Sequence, residues 1–125
     1  LKPDQLKLAV SGIKLAPVTA RSWDAMVAAA KADGVNLRAT DGYRSYDEQV
    51  RLKAKKPNLA ATPGKSNHGR GLAVDVAGGN KAIAWLDRNA SRFGFRNPIR
   101  KKEPWHWEHD GVTSLNPYED LLKNL

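Results

Sequence analysis

Only three histidines occur in this 125-residue chain, and one of them stands in the stretch SNHGRGLAVDV (66–76). Seven positions after it, Asp75 interrupts an apolar run. A carboxylate in such a run costs free energy unless something pairs with it. In an extended segment its same-side neighbours are Ala73 and Ala77, which leave room beside the carboxylate. Gly69 and Gly71 allow the tight bend that returns His68 to the same place. His106, in EPWHWEH (103–109), offers a second imidazole. Two imidazoles and one carboxylate make a three-ligand set for Zn²⁺ with a fourth position open to water, as a catalytic zinc site requires. The metal would bring that water's pKa toward neutrality and polarise a substrate carbonyl. The same donors accept other divalent cations.

Such a site needs a base, and Glu103 lies three residues before His106. On one unbroken strand the two would face opposite sides, so the reading requires a turn or bulge at Pro104, which biases Glu103 toward an extended conformation. A carboxylate brought there could take a proton from the water and pass it to the leaving amine. Arg44, in GYRSY, could hold a developing oxyanion or a substrate carboxylate. His109 follows His106 at a helical spacing, but the alternating tryptophans argue for a strand, so it is assigned to the outer shell or the surface. Each residue has a plainer reading. His68 could be a surface histidine and Asp75 could be paired with an arginine. Glu103 could be a rim charge, and His106 could be packing between tryptophans. All four would then have to coincide in a chain with three histidines. HGRG (68–71) is followed by a strand and not a helix, which rules against a phosphate-cradling loop.

The elements that must position these residues follow from periodicity. Residues 3–10 are read as a short helix. A longer helix starts from Thr19 as N-cap, carries Trp23, Met26, Val27 and Ala30 on one face, and ends at Gly34. VNLRAT (35–40) alternates as a strand. Ser45 and Glu48 form the capping box of a helix over 46–55, stopped by Pro57 and followed by a long loop, 57–67. GLAVDVA (71–77) is a second strand, with Leu72, Val74 and Val76 on one face and Asp75 on the other. Asn80 is read as the cap of a helix over 81–93 that buries Ile83, Leu86, Ala90 and Phe93 and ends at Gly94. EPWHWEH (103–109) reads as extended, with Trp105 and Trp107 on one face and His106 on the other; a short helix closes the tail, 114–125. Few strands mixed with helices indicate an α+β fold, a small and largely antiparallel sheet with helices packed on it.

Length and composition fit one soluble globular domain spanning 1–125, with 41% hydrophobic and 27% charged residues. No apolar run reaches a membrane span, no signal-peptide pattern is visible, and a start at Leu1 is compatible with an excised or processed domain. The absence of cysteine removes thiolate metal sites, disulfides and a cysteine nucleophile. A net charge of +8, with basic clusters at 51–56 and 96–102, favours a polyanionic partner. Nucleic-acid binding would want interleaved exposed aromatics or a reading helix, and neither is evident. A monomer is the default expectation.

SNHGRGLAVD has the form S-x-H-x-x-G-x-A-x-D, EPWH has the form E-x-W-H, and GYRS supplies a third block. These resemble the zinc D-alanyl-D-alanine carboxypeptidases, the related VanY-like peptidases, and phage endolysins that cut between L-Ala and D-Glu. The resemblance runs from Gly42 to His109. It implies a Hedgehog/DD-peptidase-like α+β fold, with His68, Asp75 and His106 as zinc ligands and Glu103 as catalytic acid/base. It further implies Arg44 as the substrate and transition-state arginine. Ser66 would lie near the substrate, with Gln49 and Trp105 lining the cleft. The implied substrate is the peptidoglycan stem peptide at the bacterial cell wall, reached by secretion, in the periplasm or by phage delivery. Anionic wall polymers would attract the positive charge. Carboxypeptidase and endopeptidase action both remain open, and so does a non-catalytic zinc-containing wall-binding module.

Overall fold

Pro17 opens the long helix α1 (Pro17–Ala32) in a computed structural model that describes residues 6–8, 12–43, 46–55, 68 and 70–113. Proline suits a first helical position because the N–H it lacks would have no partner there. The entry residue is therefore Ala16, with no side-chain cap. Thr19, expected as the cap, lies inside the helix and is fully buried. The expected stripe holds: Trp23, Met26 and Ala30 are buried, and Val27 packs against the core from partial burial. Where a helix over 3–10 was expected, Lys7–Leu8 (β1) instead pairs antiparallel with Lys14–Leu15 (β2). Pairing with a neighbouring segment outweighs local propensity in so short a stretch.

The main sheet contains β3 (Arg38–Asp41), β4 (Ala73–Ala77), β5 (Phe95–Arg96) and β6 (His106–His109). Its order is β3-β4-β6-β5 and every pairing is antiparallel. This is the expected α+β arrangement. The strand expected from residue 35 begins only at Arg38, but Val35 and Leu37 are buried as they lead into it. Helix α2 (Tyr46–Lys55) matches its expected span, while Ser45, the loop 57–67 and the tail 114–125 lie outside the described residues. Helix α3 (Gly79–Asn89) starts after Gly78, so Asn80 sits within its first turn rather than at its cap. A 3₁₀ turn, Ala90–Phe93, carries the chain into β5, a strand too short for its own periodic signal.

Among the described residues, one core lies between the sheet and helices α1 and α3. Val74, Val76, Phe95 and Trp107 from the strands join Trp23, Met26, Trp85, Leu86 and Phe93 in a single buried cluster. Trp23 meets Phe95 edge-on at 6.3 Å. The Trp85 indole N–H donates to Asp33 Oδ2 at 2.8 Å, tying α3 to the end of α1. Because side chains alternate along a strand, the residues between these core positions face the other side of the sheet. Asp75, His106 and Glu108 stand there. No described helix is long and apolar enough to cross a membrane.

Candidate metal centre

Register brings the centre together. Asp75 on β4 lies directly across from His106 on β6, and Asp41 on β3 lies on Asp75's other side. The pairing of β3 with β4 is irregular between Ala39 and Asp41. Such irregularities re-aim side chains and are common beside functional sites. Thr40 Oγ1 donates to the Asp75 carbonyl at 3.2 Å across this irregularity.

His68 arrives from the turn before β4. Gly71 N–H donates to the His68 carbonyl at 3.2 Å, closing that turn with Gly71 at φ 71°, a conformation side chains oppose. The His68 ring is anchored from behind by the Gly42 carbonyl, 2.7 Å from Nδ1. Gly42 is itself tightly packed: a Cβ there would meet Ile13 Cβ at 3.0 Å and the Lys14 carbonyl at 3.1 Å, so these neighbours would have to give way.

Asp75 Oδ1 lies 3.2 Å from His68 Nε2 and 3.1 Å from His106 Nδ1. The three ligand atoms lie within 4.8 Å of one another, the only such group among the described residues. Both imidazoles are buried. Burial by itself pushes the Asp75 carboxyl up, but hydrogen bonds from His106 and His68 outweigh it and hold the group well below the usual carboxylate range. Burial disfavours charge on His106, and its bonds to Asp75 and Glu108 more than offset this, so its pKa rises. Two nitrogens and one oxygen on rigid strands and a short turn form a donor set suited to zinc.

The turn required at Pro104 is present. His106 N–H donates to the Glu103 carbonyl at 3.0 Å, so Pro104 and Trp105 occupy the centre of a β-turn and β6 begins only at His106. Glu103 is half-buried. Its main chain is secured by Asn97, whose Nδ2 donates to the Glu103 carbonyl at 2.8 Å while its Oδ1 accepts from Ile99 N–H at 3.0 Å. The turn also corrects the expected tryptophan pair. Trp105 is exposed (41%) at the turn, whereas Trp107 is buried in the core, so they do not share one strand face. Arg44 and Ser66 lie outside the described residues, and of Gln49 only its place in α2 is described.

His109 is neither on the surface nor in the outer shell of the centre. It faces the core, 4.9 Å from the Phe95 ring, with Nδ1 accepting from Gly111 N–H at 3.1 Å and lying 2.9 Å from Thr19 Oγ1. Burial pushes its pKa down, and the Asp110 carboxylate and nearby main chain offset only part of that. Sequence reasoning missed Glu108, whose Oε2 lies 2.8 Å from His106 Nε2. Strand alternation places 108 on the same face as 106, a signal that was available.

The model of the D-alanyl-D-alanine carboxypeptidase family VanY matches residues 12–112. A D-alanyl-D-alanine carboxypeptidase of Enterococcus faecalis is 32% identical over 135 residues, covering 82% of this chain and 49% of that protein. The peptidoglycan L-alanyl-D-glutamate endopeptidase CwlK of Bacillus subtilis is 39% identical over 69 residues, covering 50% of this chain and 41% of its own. The chain thus spans about half the length of the curated relatives it matches. A crystal structure of a point variant of the vancomycin-resistance D,D-pentapeptidase VanY in complex with Zn(II) superposes with a TM-score of 0.75 at 29% identity, covering 86% of this chain and 79% of that one. With four-fifths of its residues inside the matched region and the same fold, this chain belongs to the VanY family of D-alanyl-D-alanine carboxypeptidases.

Proposed function

We propose that this chain is a zinc peptidase domain that hydrolyses the stem peptides of bacterial peptidoglycan, with D,D-carboxypeptidase action as the leading reading. The convergence of His68 Nε2, His106 Nδ1 and the Asp75 carboxylate within 4.8 Å carries the proposal. These three residues would hold the ion. Zinc, when bound, acidifies a water and polarises the scissile carbonyl. Glu103, held by the Asn97-locked turn, would accept the water's proton and return it to the leaving amine. Arg44 would neutralise the developing oxyanion or a terminal carboxylate, and Ser66, Gln49 and Trp105 would contact the peptide. The reaction would take place at the cell wall, where anionic polymers surround the substrate and the net charge of +8 draws the protein in.

Similarity to the L-alanyl-D-glutamate endopeptidase supports a second specificity on the same site. One experiment separates these readings. Bound zinc is quantified, peptidoglycan is digested with and without chelator, and the fragments are identified by mass spectrometry. Loss of a terminal D-Ala that stops on chelation identifies the carboxypeptidase, and a cut between L-Ala and D-Glu identifies the endopeptidase. Glu103→Ala should retain zinc and fold while losing hydrolysis by about 100-fold or more. Zinc and wall binding without turnover would make the domain a non-catalytic module, and hydrolysis by metal-free protein would overturn the metal reading.

A further inference from the structure

We infer that Glu108 is a positioning residue for the metal centre: its carboxylate holds the proton of His106 on Nε2, so that Nδ1 is presented to the cation. This rests on the zinc reading above.

On the site face, β4 contributes Ala73 and Asp75 while β6 contributes Glu108 and His106, paired as Ala73↔Glu108 and Asp75↔His106. Ala73 is fully buried and small, so the carboxylate across from it has room to lie along its own strand toward His106. There Oε2 reaches Nε2 at 2.8 Å. Glu108 is itself mostly buried, at 18% side-chain exposure.

A neutral imidazole carries one N–H, and whichever nitrogen keeps it is closed to a metal. The two histidines solve this in opposite senses. His68 has its Nδ1 against the Gly42 carbonyl, which leaves Nε2 toward Asp75. His106 has its Nε2 against Glu108, which leaves Nδ1 toward Asp75. A carbonyl backs one ring and a carboxylate backs the other. The carboxylate makes the stronger, charge-assisted bond and raises the basicity of the ligating nitrogen. It also places a second negative charge beside Asp75, which suits a divalent cation in a chain whose net charge of +8 would otherwise oppose it.

The test measures zinc affinity, by competition with a chromophoric chelator, for the wild type, Glu108→Ala and Glu108→Gln. Glu108→Ala should bind zinc about 10–100-fold more weakly. Glu108→Gln keeps an oxygen acceptor without charge, so its affinity should fall between the two. Nitrogen-15 NMR of the zinc-loaded wild type should show His106 protonated on Nε2 with the metal on Nδ1, and the glutamine variant should keep that signature. Circular dichroism checks the fold. Unchanged affinity in a folded Glu108→Ala would overturn the inference and leave the zinc reading standing. Should the alanine variant not fold, the wild-type spectrum decides, because metal on Nε2 of His106 overturns the assignment. A wild type that binds no zinc removes both readings.

Discussion

Asp75 is the residue on which the centre turns, because one of its oxygens lies within 3.2 Å of both imidazoles. Replacing the carboxylate by an amide preserves shape and removes charge. Asp75→Asn should therefore lose zinc affinity by more than the roughly 100-fold that outer partners control, read by chelator competition. The variant should remain folded, since Asp75 stands opposite the core face of β4. A folded Asp75→Asn with wild-type zinc affinity would remove Asp75 from the ligand set. The asymmetry between the buried histidines is equally a matter of single residues. His106 has a carboxylate at each ring nitrogen, while His109 has a hydroxyl and a main-chain N–H at Nδ1, an aromatic ring beside it, and only the half-exposed Asp110 carboxylate, at 3.5 Å, near Nε2.

At the scale of elements, the turn over 97–105 connects β5 to β6 and sets where Glu103 stands. Asn97 spans it with both ends of its amide. On the solvent side of the turn, Arg100 forms a two-pronged bond to Asp87 at 2.9 and 2.8 Å, tying the segment to α3. That pair is solvent-exposed and contributes little stability. Asn97→Ala should lower the rate of hydrolysis by about 10–100-fold through misplacement of Glu103, with zinc affinity unchanged. Equal loss of zinc affinity would show that the turn supports the whole centre and not the base alone. His109 joins β6 to α1, and here pH is informative. Its folded pKa is lowered, so the unfolded chain binds the proton more readily. Its contribution is intact above the ordinary imidazole value of about 6.5 and fades as pH falls through that value toward the lower folded one. In urea unfolding, the stability gap between wild type and His109→Gln should narrow from about pH 7.5 to about pH 5.5. A constant gap would contradict the lowered pKa.

For the whole molecule, the sheet carries a core on one face and the candidate metal centre on the other. Val74 and Trp107 bury into the core while their strand neighbours Asp75 and His106 form the site. Stability and chemistry are thus interleaved residue by residue, and a one-residue slip of β4 against β6 would exchange them. Net charge acts at the same scale. Binding to intact walls should weaken steeply as salt rises from about 0.05 to about 0.5 M, while hydrolysis of a short neutral D-Ala-D-Ala peptide changes far less. Salt-insensitive wall binding would mean that recognition is local to the cleft.

Much of this was determined by the sequence alone. Periodicity located β4 and the apolar stripe of α1, because these elements repeat long enough for burial to leave a pattern, while a capping box and a following proline located α2. The convergence of His68, Asp75 and His106 was legible from type and spacing: a carboxylate inside an apolar strand and a histidine beside glycines are costly choices that call for a reason. The need for a turn at Pro104 followed from the alternation rule. Tertiary structure decided the rest, where the deciding partner is distant in the chain. The strands β1, β2 and β5 have two residues each, and only pairing defines them. Thr19 looked like a cap because its own neighbours allow it, but His109, ninety positions away, claims its hydroxyl. Glu108 could be placed on a face from sequence, yet its carboxylate at His106 Nε2 depends on Ala73 lying opposite it, a fact of register that no local pattern contains.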